Sequence, residues 1–111
     1  MSTKTIPRLL RGTDLRYMLT RLLQLNGPAT VAELIVMLNA EGFTVAGRPS
    51  KTVSDTLRWE MGRARVWRIG RGRYLADDVP RGTEHRIVKR VSQLRDEVLS
   101  LRGGQRLMFP D

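Results

Sequence analysis

The sequence predicts a mainly α-helical domain with one small β-hairpin, followed by a C-terminal amphipathic helix. Apolar residues recur at helical spacing in four separate stretches. After the third stretch, a glycine-rich turn joins two short segments that favour β-strands. The chain has 111 residues, of which 41% are hydrophobic. This length and composition allow a modest core within one domain.

Composition excludes several classes of site. The chain has no cysteine, so disulfide bridges, thiolate metal sites and cysteine nucleophiles are excluded. Its one histidine, His85, cannot form a site that needs two imidazoles. No phosphate-loop glycine motif is present, and the acidic pairs are sequence neighbours whose side chains diverge. We therefore expect no enzyme activity, no cofactor and no metal.

The positive charge is concentrated in one segment. Lys and Arg total 20 against 11 Asp and Glu, which gives a net charge of +9. Residues 48–73 alone hold eight basic and two acidic residues, whereas residues 29–47 hold two acidic residues and no basic one. Such a block indicates one surface suited to a polyanion, and nucleic acid is the commonest polyanionic partner.

The first two helices form the predicted platform. Residues 1–12 predict a loose basic arm, and Thr13 is a favourable N-cap for helix 1, which Gly27-Pro28 ends. Thr30 and Glu33 form a capping pair for helix 2. The apolar stripe of helix 1 comprises Leu15, Met18, Leu19, Leu22 and Leu23, and that of helix 2 comprises Val31, Leu34, Ile35 and Leu38. Val36 and Met37 predict that helix 2 is covered on more than one side, and residues 43–49 predict a loop.

Helix 3 is predicted over residues 50–62, with a polar outer face. Its inner stripe consists of Val53, Leu57 and Met61. At 100° per residue, Lys51, Asp55 and Arg58 lie opposite that stripe, and Thr52 and Ser54 flank it.

A positively charged hairpin is predicted over residues 65–76. Val66–Ile69 and Arg73–Ala76 favour strands, and Gly70-Arg71-Gly72 is the turn between them. Alternation places Trp67 and Ile69 on one face and Arg68 on the other.

The last helix is predicted within residues 80–104, before a tail of residues 105–111. Its apolar seam either packs on the domain or pairs with a second copy in a homodimer. The seam residues are Ile87, Val91, Leu94, Val98 and Leu101.

A winged helix-turn-helix domain has three helices followed by a basic hairpin. The sequence predicts this order of elements within residues 13–79. Residues 50–61, S-K-T-V-S-D-T-L-R-W-E-M, and residues 65–74, R-V-W-R-I-G-R-G-R-Y, resemble the HARE-type helix-turn-helix subgroup. In that subgroup T-V-S-x-x-L precedes a V-G-R-G-x-[YF] wing. The resemblance covers residues 13–76 and leaves the last helix outside. It implies a DNA-binding fold that reads DNA with helix 3.

The resemblance also implies which side chains contact DNA. Arg58 would donate two hydrogen bonds to a guanine edge, and Lys51 would contact a phosphate. Asp55 either accepts from a cytosine amino group or only holds Lys51 and Arg58. Arg63 and Arg65 are either solvated or in contact with DNA, and Trp59 and Trp67 are expected in the core. The full set of expected contacts is Arg48, Lys51, Thr52, Ser54, Asp55, Arg58, Arg68, Arg71 and Arg73.

These observations predict a protein that binds double-stranded DNA and regulates transcription. The N-terminus has no apolar leader, and no apolar run is long enough to span a bilayer. We therefore expect a cytoplasmic, nucleoid-associated protein without a membrane partner. Two other functions stay open. One is a protein-interaction module that uses the C-terminal helix as its interface, and the other is RNA binding through the same basic face.

Overall fold

A computed structural model describes residues 6–106, with the side chains described as far as residue 100. In this part of the chain, four helices alternate with short strands. The elements in order are β1 (Arg8–Leu10), α1 (Gly12–Asn26), β2 (Ala29–Thr30), α2 (Val31–Ala40), β3 (Phe43–Val45), α3 (Pro49–Gly62), β4 (Val66–Ile69), β5 (Arg73–Ala76) and α4 (Arg81–Arg106). The predicted class, mainly α with a small antiparallel β-unit, is confirmed.

Two small sheets hold the helices in place. Strands β4 and β5 form the predicted antiparallel hairpin, and β2 adds a third antiparallel strand on the other side of β5. Separately, β1 pairs in parallel with β3. The three-stranded sheet links the start of α2 to the hairpin that follows α3, because β2 directly precedes α2.

Helix α1 lies at the centre of the core. Its predicted apolar stripe is confirmed, since all five of its residues are buried. The helix packs against the other three helices and against β5. Helix α2 begins with the predicted capping box: the Glu33 amide donates to Thr30 Oγ1 at 3.1 Å, and the Thr30 amide donates to Glu33 Oε1 at 2.9 Å.

Several boundaries differ from the sequence prediction. Residues Arg8–Leu10 form strand β1 with Leu10 fully buried, so the expectation of a loose arm is wrong for them; residues 1–5 lie outside the described residues. Phe43–Val45 forms β3, which replaces the first half of the predicted loop. Arg11 rather than Thr13 is the N-cap of α1. Each of these strands has only three residues, too few for the alternation of a strand to be recognised.

The outer side of α2 is open. Only Leu34 and Leu38 are fully buried on this helix, and the Val36 side chain is 67% exposed. The expectation that α2 is covered on more than one side is therefore wrong.

Helix α4 packs along α1 and belongs to the same core. Its seam residues Ile87, Val91, Leu94 and Val98 are all buried within the chain. Of the two expectations for this seam, the structure shows packing within the chain and gives no support to a homodimer through these four residues. The Leu101 side chain lies outside the described residues. The helix runs to Arg106, two residues beyond the predicted boundary. The rest of the predicted tail, 107–111, lies outside the described residues.

No helix within residues 6–106 combines the length and the apolar character that a membrane span requires.

Candidate nucleic-acid interface

Helix α3 separates an anchored side from an exposed side. Val53 and Leu57 are fully buried against the core. On the opposite side, Lys51, Asp55 and Arg58 are exposed to solvent. The predicted orientation of α3 is confirmed for these residues, while Met61, at the end of the inner stripe, is only partly buried.

Asp55 bridges the two cations of this outer face. The Lys51 ammonium donates to Asp55 Oδ2 at 2.8 Å, and the Arg58 guanidinium donates to Asp55 Oδ1 at 3.3 Å. The hydrogen bond from Lys51 lowers the pKa of the Asp55 carboxyl below its usual value. The carboxylate is thus charged at neutral pH, and the triad has one positive charge in excess.

The start of α3 is fixed to the preceding loop. The Thr52 hydroxyl donates to the Ala46 carbonyl at 2.8 Å, and the Thr52 amide donates to the Arg48 carbonyl at 2.9 Å. Arg48 is the N-cap residue and its side chain is exposed. Ser54 and Thr52 are partly buried at the flanks of the outer face. Because the Thr52 hydroxyl already donates its proton to the Ala46 carbonyl, it can contact a ligand only as a hydrogen-bond acceptor.

The hairpin carries its arginines on both faces and at its tip. Arg68 pairs across the strands with Tyr74, and Ile69 pairs with Arg73. Directly opposite residues share one face of an antiparallel ribbon. Arg68 therefore lies on the face of the buried Tyr74, and Arg73 lies on the other face, where its guanidinium is 3.9 Å from Glu33. Arg71 lies in the turn between Gly70 and Gly72, both of which have positive φ.

A buried carboxylate that the sequence analysis did not single out fixes α3 against α1. Glu60 is 1% exposed. Its oxygens accept two hydrogen bonds from Arg65, at 2.7 and 3.1 Å, and Arg16 Nε of α1 lies 3.4 Å away. The same hydrogen bonds raise the pKa of Arg65. An acidic residue three positions after Leu57, on the apolar side of the helix, was the signal that could have revealed this network.

Both tryptophans are half-exposed, so the expectation that they lie in the core is wrong. Trp59 is 48% exposed, and the guanidinium carbons of Arg63 and Arg16 lie 4.8 and 5.4 Å from the centroid of its ring. The Trp67 indole donates to Asp77 Oδ2 at 2.6 Å. That hydrogen bond lowers the pKa of Asp77. The indole N–H and the guanidinium contacts explain how these large rings remain at the surface.

Comparison of the chain with protein-family models, with characterised proteins and with solved structures finds no match in any of the three.

Proposed function

We propose that this chain is a winged helix-turn-helix protein that binds duplex DNA and regulates transcription, with α3 as the reading helix and the β4–β5 hairpin as the wing. One observation carries the proposal: α3 is anchored by Val53 and Leu57 and presents Lys51 and Arg58 outward, next to an arginine-rich hairpin. This combination offers duplex DNA both a helix for the groove and cations for the backbone.

The dimensions of α3 suit the major groove. Its 14 residues give a length of about 21 Å at 1.5 Å per residue. A helix with its side chains is about 10–12 Å across, and the major groove is about 12 Å wide. Arg58 then donates two hydrogen bonds to a guanine edge, and Lys51, in the first turn of the helix, contacts a phosphate.

The hairpin arginines are placed to contact the phosphates of both DNA strands that border the minor groove. Arg68 and Arg73 lie on opposite faces of the ribbon, and Arg71 lies at its tip. A ribbon inserted along the minor groove meets phosphates on both sides, so cations on both faces are favourable there. The distribution around the hairpin therefore supports the proposed role of these three residues.

The two other functions differ in their support. The protein-interaction alternative depended on the seam of α4, and residues 87–98 of that seam are covered within the chain. RNA binding uses the same basic face as DNA binding. Competition between a duplex DNA and a structured RNA for the same protein distinguishes these two ligands.

Titration of a labelled, random-sequence 20-bp duplex between 50 and 300 mM salt tests the proposal. The logarithm of the binding constant should fall linearly with the logarithm of the salt concentration, at about −0.9 per phosphate contact. Lys51→Ala should weaken binding to all sequences alike, whereas Arg58→Ala should also change which duplexes are enriched from a random pool. Lys89→Ala, an exposed cation on α4, is the matched control. Absence of duplex binding, or an equal loss for Lys89→Ala and Lys51→Ala, would refute the proposal.

A further inference from the structure

The flank of α3 that faces α1 carries a cation held on an aromatic ring. Trp59 lies about 80° around the helix from Lys51, and therefore beside the outer face rather than on it. The guanidinium carbon of Arg63 is 4.8 Å from the centroid of the Trp59 ring. When a helix lies in the major groove, the sugar–phosphate backbone runs along its flanks. The pair is thus at the position where a phosphate would be met.

Stacking leaves the donors of Arg63 available. A guanidinium contacts an aromatic ring with its face, and its N–H groups point outward in the plane. Arg63 is exposed, and no carboxylate of the described residues forms an ion pair with it. The ring also restricts the guanidinium before any ligand arrives, so less side-chain entropy is lost on binding.

The other guanidinium near Trp59 has a different role. Arg16 donates to the Thr13 hydroxyl at 3.0 Å and lies 3.4 Å from Glu60. The charge of Arg16 is therefore partly neutralised by Glu60 within the protein. Glu60 also pairs with Arg65, so two arginines share this one carboxylate. Arg63, by contrast, is held by the Trp59 ring and keeps its positive charge unpaired among the described residues.

We infer that Arg63, held on Trp59, binds a phosphate of the DNA backbone that is distinct from the phosphate bound by Lys51. The inference rests on the proposed function and adds a second anchoring point to it. Residues 51 and 63 are twelve positions apart, which is about 18 Å along the helix axis. This separation places the two cations on different phosphates, so their contributions to salt dependence should add.

Salt titrations with the random-sequence 20-bp duplex test the inference. Arg63→Gln should reduce the magnitude of the log–log slope by about 0.9, and the double variant with Lys51→Gln should reduce it by about 1.8.

Trp59→Leu should keep the wild-type slope but weaken binding about 2- to 5-fold, which is the equivalent of the cation–π contact. Trp59→Phe should restore most of the lost affinity. Arg81→Gln, an exposed residue at the start of α4, should bind like the wild type. Urea unfolding midpoints equal to that of the wild type show that each variant is folded.

The outcomes separate this inference from the proposed function. If the wild type binds duplex DNA and Lys51→Gln changes the slope, but Arg63→Gln does not, the second phosphate contact is refuted and the proposed function stands. If the wild type does not bind the duplex, the proposed function is refuted together with this inference.

Fluorescence gives an independent measurement. The chain has two tryptophans, so Trp67→Phe leaves Trp59 as the single indole. Saturating duplex should reduce the quenching of Trp59 by iodide at least 2-fold, because the bound strand covers the ring. Unchanged quenching at saturation would overturn the placement of Arg63 on the backbone.

Discussion

Asp55 is the one acidic side chain on the outer face of α3. It neutralises part of the charge of Lys51 and Arg58 in the free protein, and these ion pairs must rearrange when the two cations meet DNA. A carboxylate near phosphates is repelled unless a base donates to it, and the cytosine amino group is the base donor that fits it best. If α3 binds DNA as proposed, we expect Asp55 to lower the affinity for most sequences and to raise the selectivity.

The variant Asp55→Asn tests this role with little change in size. We expect binding to the random-sequence duplex to tighten about 5-fold, since the substitution removes one like charge beside a phosphate. The preference among enriched duplexes should broaden. Anisotropy titration gives both results when random and selected duplexes are compared. Asp96→Asn on α4 is the control, and weaker binding by Asp55→Asn would show that Asp55 makes a net attractive contact.

Glu60 determines how α3 is held rather than what it contacts. It is buried between the guanidinium groups of Arg65 and Arg16, which are themselves about a quarter exposed. Removal of its charge leaves both cations without their carboxylate partner between α3 and α1.

We therefore expect Glu60→Gln to reduce the free energy of unfolding by about 2 kcal/mol, less than for a fully buried pair because both arginines reach solvent. Urea denaturation at pH 7 measures it. Glu84→Gln, an exposed residue in the first turn of α4, should change the stability by less than about 0.5 kcal/mol. An equal effect of the two substitutions would contradict the role assigned to Glu60.

At the level of elements, the long amphipathic helices could be predicted and the short strands could not. The capping box at Thr30 and the turn at Gly70-Arg71-Gly72 are local signals, and both are confirmed. Strands β1 and β3 are held by each other across more than 30 residues, which is tertiary information. The partner of the α4 seam was likewise undecided, because an apolar stripe does not reveal whether it packs within the chain or on a second copy.

The packing of α4 on α1 predicts a large contribution of its seam to stability. Leu94→Ala should reduce the free energy of unfolding by about 2–4 kcal/mol, because Leu94 is fully buried. Leu99→Ala, whose side chain is exposed, should have little effect. Thermal unfolding of the wild type, of Leu94→Ala and of Leu99→Ala at several protein concentrations measures these effects. A melting temperature that rises with concentration only in the wild type would show instead that the seam is an intermolecular interface.

On the scale of the whole molecule, ion pairs connect the two ends of the chain. Arg90 of α4 donates two hydrogen bonds to Asp14 of α1, at 2.9 and 3.0 Å. Arg8 of β1 donates to Glu97 of α4 at 2.8 Å. Arg95 similarly joins α4 to Glu41 at the end of α2. Helix α4 is therefore part of the domain over the residues whose side chains the structure describes.

The Asp14–Arg90 pair predicts an acid-dependent part of the stability. Its hydrogen bonds lower the pKa of Asp14 below the usual 3.8, so the contribution is complete above that value and is lost as pH falls through the lower folded pKa. At pH 7, Asp14→Asn should be less stable than the wild type by about 1 kcal/mol. The difference should shrink as the pH falls below 3.8 and through the lower folded pKa of Asp14, as urea unfolding between pH 7 and pH 2 will show. A difference that does not depend on pH would contradict the assignment.

The candidate site was only partly predictable from the sequence. Helical periodicity placed Lys51, Asp55 and Arg58 on one face, and the structure brings these three together. The stacking of Arg63 on Trp59 and the burial of Glu60 depend on where α1 lies beside α3. Spacing within one helix contains no information about that neighbour.

The most direct test of the central claim, that α3 and the hairpin form the DNA-binding surface, is a map of backbone amide chemical shifts with and without a duplex selected from a random pool. We expect the largest changes in residues 48–63 and 68–73, while the outer side of α2 and residues 86–100 of α4 keep the chemical shifts of the free protein. Changes concentrated on α2 or α4, with residues 48–73 unperturbed at saturation, would contradict it.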